Sequence, residues 1–314
     1  MAEMTERRRG ALSVRAVRHV GLTTALVFVT CAVVIVLSAI SYAAADRQLS
    51  GLSARASGHI TKVDGSTVEA AWATPDGAAH TVRVPLSIDP PKVGTGTDIA
   101  YDPADPARAI VPGAQVLVDG DRATTGLVLG ALIIVIVLGY DGWRLWRSAR
   151  LTRRKPTKLL VRRVRIQRGV LTRSYLELDD ESAWLPVYYD PVLVRMPAPT
   201  TVTAYGDPKR DRLVAAEFDG VVLYPPGRVV RREPPGRRGD NPSRPDDTVA
   251  ERARSVSGLG RQLRVDAVAC IAAPFIGLLW AYADQSGFAG WLGATVLTAS
   301  AAFWVWAIRG SDPS

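Results

Sequence analysis

Residues 20–45 read VGLTTALVFVTCAVVIVLSAISYAAA, a run without one ionisable side chain. A helix that crosses the roughly 30 Å hydrocarbon core of a bilayer needs about 20 apolar residues. This stretch therefore predicts a membrane span. Three further uncharged stretches follow, Ala123–Tyr140, Ala267–Ala283 and Gln285–Ile308. The spans they predict cover 20–45, 123–140, 263–283 and 288–308. The fold class expected is membrane α plus small all-β domains: four transmembrane helices with one β-barrel-like domain on each side of the membrane. Ala43-Ala44-Ala45 resembles a signal cleavage site, but the apolar run exceeds the 7–15 residues of a signal core, which favours an uncleaved anchor. Pro274 lies inside the third stretch and predicts a kinked span, tolerated where neighbouring groups satisfy the freed backbone.

The segments between the spans are charged unevenly. Residues 1–19 hold five Arg and two Glu; 46–122 hold seven Lys/Arg against ten Asp/Glu; 141–265 hold 26 against 15. Positively charged flanks stay cytoplasmic. That rule makes 1–19 a cytoplasmic basic tail, 46–122 an extracytoplasmic β-domain and 141–228 a cytoplasmic β-domain with a basic juxtamembrane start. Residues 229–262 become a cytoplasmic linker, 284–287 an outer turn and 309–314 a cytoplasmic tail. The expected localisation is a bacterial plasma membrane. Only five of the 39 basic residues are Lys, an Arg bias that fits a GC-rich bacterial genome. Trp and Tyr favour the headgroup level. Tyr42, Trp280, Tyr282 and Trp291 fall at the outer interface on this scheme, and Tyr140, Trp143, Trp146, Trp304 and Trp306 at the inner one.

Both soluble segments read as β. In the first, Ala54–Val63 ends at Asp64-Gly65, a hairpin signal. Ser66–Thr74, Ala78–Val84 and Asp98–Tyr101 follow as strands. In the second, candidate strands are Leu159–Gln167, Val170–Leu178, Ala183–Tyr189, Thr201–Tyr205, Leu213–Phe218 and Val221–Tyr224, separated by Asp- and Gly-bearing turns. Arg231–Arg244 is dense in Arg, Pro, Gly and Asp, a composition that predicts disorder. Asp247–Val256 reads as a short helix.

The two segments share a local signature. One runs Asp98-Ile-Ala-Tyr101-Asp102-Pro103 to Arg108 and Ile110; the other runs Val202-Thr-Ala-Tyr205-Gly206-Asp207-Pro208 to Arg212 and Val214. Tyr to Arg is seven positions in both. A strand, an Asp-Pro turn and a returning strand account for it, with duplication and recurring hairpin grammar both open. Gly94-Thr-Gly-Thr-Asp98-Ile-Ala-Tyr101-Asp102-Pro103-Ala-Asp105-Pro106, placed before a span, resembles the motif of an uncharacterised family of bacterial membrane-anchored β-domains, a domain-of-unknown-function family. The resemblance covers about residues 20–140. It implies a span, a β-domain and a second span, and it supplies no reaction and no catalytic residues.

Little points to chemistry. The three histidines are His19, at the inner membrane border, and His59 and His80, on predicted strands; catalytic zinc wants three protein ligands. Asp98, Asp102 and Asp105 have the oxygen chemistry for Ca²⁺, yet each Asp-Pro is an ordinary turn initiator. Cys31 and Cys270 sit in apolar stretches without metal or disulfide spacing. No catalytic site, metal or cofactor is expected, and the chain reads as a non-enzyme. The spans carry no buried charge that marks an ion path. Small residues at Gly126 and Gly130, and at Gly290 and Ala294, are spaced for close helix packing, either within the chain or between copies.

The strongest local signal is basic: eleven Lys/Arg and no acid between Arg144 and Arg168. Juxtamembrane cations are drawn to anionic headgroups over about a Debye length, so Arg144, Arg147, Arg150, Arg153, Arg154, Lys155 and Lys158 are the expected lipid contacts. Nucleic acid is disfavoured, since no aromatic stacking platform is interleaved with the run. The reading that results is a non-enzymatic integral membrane protein, an accessory or assembly factor of a bacterial envelope complex with a protein partner. Two rivals remain. A two-sided sensor requires a ligand pocket in a β-domain, and a subunit of a membrane enzyme or transporter requires Asp, His or Arg side chains converging at one membrane face.

Overall fold

The structure, a computed structural model, describes residues 14–241, 243, 248, 251 and 258–314. Most of the expected basic tail and most of the helix expected over Asp247–Val256 lie outside the described residues. Four helical stretches are long and apolar enough to cross a membrane: Arg15–Leu49, Gln115–Leu151, Leu259–Asp284 and Gly287–Arg309. The chain divides into two compact units, Cys31–Ile133 and Met1–Thr30 with Ile134–Ser314.

Helix α1 (Arg15–Leu49) and helix α2 (Gln115–Leu151) have 35 and 37 residues. At 1.5 Å per residue each exceeds 50 Å, so both outrun the apolar stretches that predict them. The first unit contains a five-stranded antiparallel sheet of β1 (Ala54–Asp64), β2 (Thr67–Ala73), β3 (Ala79–Pro85), β4 (Gly96–Asp102) and β5 (Asp105–Ile110). Its order is β3-β2-β1-β4-β5, and it curls so that Leu86, after β3, bridges to Ala114, after β5. Burial alternates along β2, buried at Val68, Ala70 and Trp72, the period-2 signature of a one-sided sheet. These side chains meet Ile60, Val84, Leu86, Ile99 and Tyr101 in one core. The first hairpin differs from expectation by one position: Asp64 still pairs with Thr67, so the loop is Gly65-Ser66. Gly65 takes the positive φ, +60°, that the first position of a II′ loop requires.

The second unit contains a larger antiparallel sheet: β6 (Pro156–Arg168), β7 (Leu171–Leu178), β8 (Trp184–Val187), β9 (Thr200–Tyr205), β10 (Ala215–Phe218), β11 (Val221–Leu223) and β12 (Arg237–Asp240). The path is β11-β10-β9-β6-β7-β8. Strand β12 pairs with the far half of β6, from Arg237↔Gln167 to Asp240↔Val164. Composition predicted disorder over Arg231–Arg244. The exposed edge of β6 overrides it, because a strand needs only backbone partners there. Arg238 then reaches the Glu177 carboxylate on β7 through two hydrogen bonds, 3.0 and 2.6 Å. A turn of 3₁₀ helix at Pro191–Arg195, capped by the Asp190 side chain, covers the sheet core with buried Val192 and Leu193.

The third apolar stretch is not one uniform helix. It runs α3 (Leu259–Asp266), a 3₁₀ segment (Ala267–Ala272) and α4 (Ala273–Asp284), with Pro274 in the first turn of α4, where its missing N–H costs nothing. Gln285 and Gly287 then take positive φ and turn the chain into α5 (Gly287–Arg309).

The two sheets are built to one plan. In each, the first strand after a long helix is central, its hairpin partners lie on one side and the fourth strand lies on the other. Even the register agrees. Tyr101 of β4 pairs with Ala54, the first residue of β1, and Tyr205 of β9 pairs with Pro156, the first residue of β6. The arginines of the shared signature do not match. Tyr101 pairs with Ala109, whereas Tyr205 pairs with Ala215, so the second hairpin is two residues longer. Arg108 directly precedes its pairing residue and Arg212 does not.

Candidate functional site

The predicted packing residues divide. At Gly126 any side chain would collide with Ser38, and at Gly130 a Cβ would lie 2.7 Å from Ile35, so these two seat α2 on α1. The close approach of α4 and α5 falls elsewhere, at Gly277 against Thr295 and the Trp291 carbonyl, while Gly290 faces only Ser286 of its own helix cap. Ala294 lies half-buried on α5. Gly277 belongs to the same small-residue class, with Ala273 and Ala281 four positions before and after it and both buried, so the signal that could have found it was present in the sequence.

The basic cluster divides too. Arg144 points inward and donates to the Ile308 carbonyl (2.8 Å) and the Pro226 carbonyl (3.0 Å). Arg154 pairs with Asp211 (3.1 Å) and donates to the Leu213 carbonyl. Arg162 pairs with Asp179, and Arg163 is buried in the second unit. Arg147 and Arg150 lie over the rings of Trp143 and Trp146. Arg153, Lys155 and Lys158 are exposed.

The second unit also gathers charge that sequence spacing did not foretell. His19 Nε2 and Asp266 Oδ2 are 2.6 Å apart, with side chains 1 % and 0 % exposed. One turn away, Gln262 accepts from Arg15 Nε and donates to the Ser311 carbonyl. Asp312 follows: its amide donates to the Thr172 carbonyl, and its carboxylate accepts from Arg163 (2.7 Å) and Ser174 (2.5 Å). Arg163 donates also to Asn241 and Ser314, and Asn241 donates to the carbonyls of Leu193 and Met196. Burial alone would raise the Asp312 carboxyl; Arg163 and hydrogen bonds from Ser174 and Ser314 outweigh it and hold the group below the usual 3.8. Asp141 accepts from Thr24 (2.6 Å) and Trp304 (3.2 Å). Tyr188 donates to the Ile308 carbonyl, its phenol pushed up by burial to about 12. The one sequence signal for this layer was position. His19, Asp141 and Asp266 each flank an apolar stretch on the side assigned to the cytoplasm.

In the first unit, a cavity of about 440 Å³ lies between the helix ends and the sheet, lined by Leu49, Leu52, Arg55, Asp98, Ala100 and Ile110 among others. The acidic turn reads as turns: Asp102 Oδ1 accepts from the Ala104 amide and Asp105 Oδ1 from the Ala107 amide. His59 and His80 sit on β1 and β3, with His80 beside Trp72 and Thr74. Among the described residues no group of three His, Cys, Asp or Glu is placed to hold a metal.

Comparison with known protein families, with characterised proteins and with solved structures returns no match.

Proposed function

We propose that this chain is a multi-pass protein of a bacterial plasma membrane, with both termini cytoplasmic and residues 46–122 outside. It acts as a non-enzymatic accessory or assembly factor of an envelope complex. The helices mount two related β-domains and present them to protein partners. The observation that carries this reading is the use made of buried charge. Buried Arg163 and Asp312 tie the end of α5 to the second sheet, half-buried Arg144 ties α2 to the Ile308 and Pro226 carbonyls, and the buried His19–Asp266 pair ties α1 to α3, each engaged with residues of the chain itself. Buried charges that are paired and hydrogen-bonded act as fasteners and are costly to separate, whereas an ion path needs groups that exchange partners. In-cell crosslinking with mass spectrometry is the test. Crosslinks from exposed sheet residues of either domain to one recurring envelope protein support the reading, and crosslinks confined to the chain itself overturn it.

A second reading, a two-sided sensor, has one observation in its favour. The cavity beside β1 and β4 sets an apolar wall next to Arg55 and Asp98, the mix of surfaces a small ligand site uses. A thermal-shift screen of small amphiphilic metabolites against the full chain and Arg55→Ala separates the two. A hit lost in the variant favours the sensor.

A further inference from the structure

Helix α2 runs three turns beyond Tyr140, the last residue of its apolar stretch, and ends at Leu151. Its two sides differ over those turns. Arg144 and Leu151 turn toward the protein, with Arg144 on two carbonyls and Leu151 buried. Trp143, Trp146, Arg147 and Arg150 share the other side at spacings of three and four, which brings them into one patch. Trp143 is 49 % and Trp146 54 % exposed. Each indole carries a guanidinium from the next turn: Arg147 Cζ is 4.6 Å from the Trp143 centroid and Arg150 Cζ 3.7 Å from the Trp146 centroid. Among the described residues no carboxylate pairs with Arg147, Arg150 or Arg153, while Arg154, Arg162 and Arg163 nearby all have one.

We infer that this face binds the phosphate headgroup of an anionic phospholipid, in the leaflet where the apolar part of α2 ends. The inference rests on the reading that α2 crosses a bilayer. Indoles settle at headgroup depth, and Trp143 begins less than one turn past the apolar stretch. A guanidinium stacked on a ring keeps all its N–H donors at the edge, in the fork that fits a phosphate bidentately. The stack fixes the side chain before the phosphate arrives, so less freedom is lost on binding. From Trp143 to Arg150 the axial rise is about 10 Å, so both stacks lie within about one Debye length of the surface. Lys155 and Lys158 lie past the end of the helix, and Arg144 and Arg154 are held by other partners. The lipid-binding part of the eleven-cation run is thus narrowed to Arg147 and Arg150, with Arg153 as flanking charge. Nucleic acid fits less well, because a guanidinium already occupies a face of each ring that a base would need.

The test uses the full chain in nanodiscs of equal phosphatidylglycerol and phosphatidylcholine, released for native mass spectrometry that counts each lipid retained. Wild type should retain phosphatidylglycerol in excess. R147Q/R150Q should lose about fivefold of that preference per arginine removed. R147K/R150K, which keeps the charge without the fork, should fall between, and W143F/W146F should stay close to wild type. K158Q should change nothing. A chain that does not enter the nanodisc overturns the membrane reading itself. A chain that enters but retains the anionic lipid equally in wild type and R147Q/R150Q overturns the site alone. So does displacement of the lipid by a short RNA at matched phosphate concentration.

Discussion

In the first β-unit, the side chain that ties sheet to helix is Arg108. It pairs with Asp102 at 3.1 Å and donates to the carbonyls of Arg47 and Ser50 at the end of α1, and its side chain is 41 % exposed. In the second unit the corresponding work falls to Arg163 and Asp312, 2 % and 0 % exposed. The strand order and the Tyr register are the same, so the difference lies in the dielectric around the tie. An exposed pair is worth about 0.2–1 kcal/mol. A buried pair contributes little net of desolvation, yet losing one partner costs about 3–5 kcal/mol, because the other charge is stranded. The first unit depends on its apolar core. The second makes its sheet and helix ends cooperate through charge.

The largest expected effect is at Asp312 or Arg163. Arg163→Met alone should destabilise the chain by about 3–5 kcal/mol, and Arg163→Met with Asp312→Leu by distinctly less, read by denaturant unfolding in detergent micelles. Equal losses in the single and double variants would remove the contrast between the units. Next, Ile60→Ala, at a position 1 % exposed in the core of the first sheet, should cost about 2–5 kcal/mol. Arg108→Ala, the exposed tie of the same unit, should cost only about 0.2–1 kcal/mol. If Arg108→Ala matched Ile60→Ala, the first unit too would be held by charge. The last effect is one of pH. The Asp312 carboxyl is held below 3.8 in the folded chain, so its contribution is complete above that value and fades as pH falls through the lowered folded value. Acid unfolding followed by tryptophan fluorescence should show Asp312→Asn losing stability less steeply than wild type below pH 3.8.

Much of the fold was legible in the sequence. The four apolar stretches became the four long helical stretches, and all ten strands named from alternation and turn residues lie within strands of the structure or overlap them. Both signals are local: hydropathy over about 20 residues, and a period of two bounded by Gly, Asp and Pro. Strand β12 was missed because its pairing is set by the free edge of β6 and not by its own Arg-Arg-Gly-Asp composition. The basic cluster was read as a block, and the structure sorts it. Arg144 goes to carbonyls, Arg154 and Arg163 to carboxylates, and Arg147 and Arg150 to indoles. The i,i+4 spacing of Trp143–Arg147 and Trp146–Arg150 was in the sequence and could have signalled the stacks.

By itself, then, the sequence determined which segments are apolar enough to span, which alternate as strands, and where positive charge accumulates. Each of these depends on neighbours within a turn or a hairpin. Tertiary structure decided which charges are fasteners. His19 and Asp266 are 247 residues apart, and Arg163 and Asp312 are 149 apart. Their meeting depends on how the helix ends and the strand order bring distant backbone together, and only burial there turns an ordinary arginine and aspartate into a pair whose separation the fold cannot tolerate.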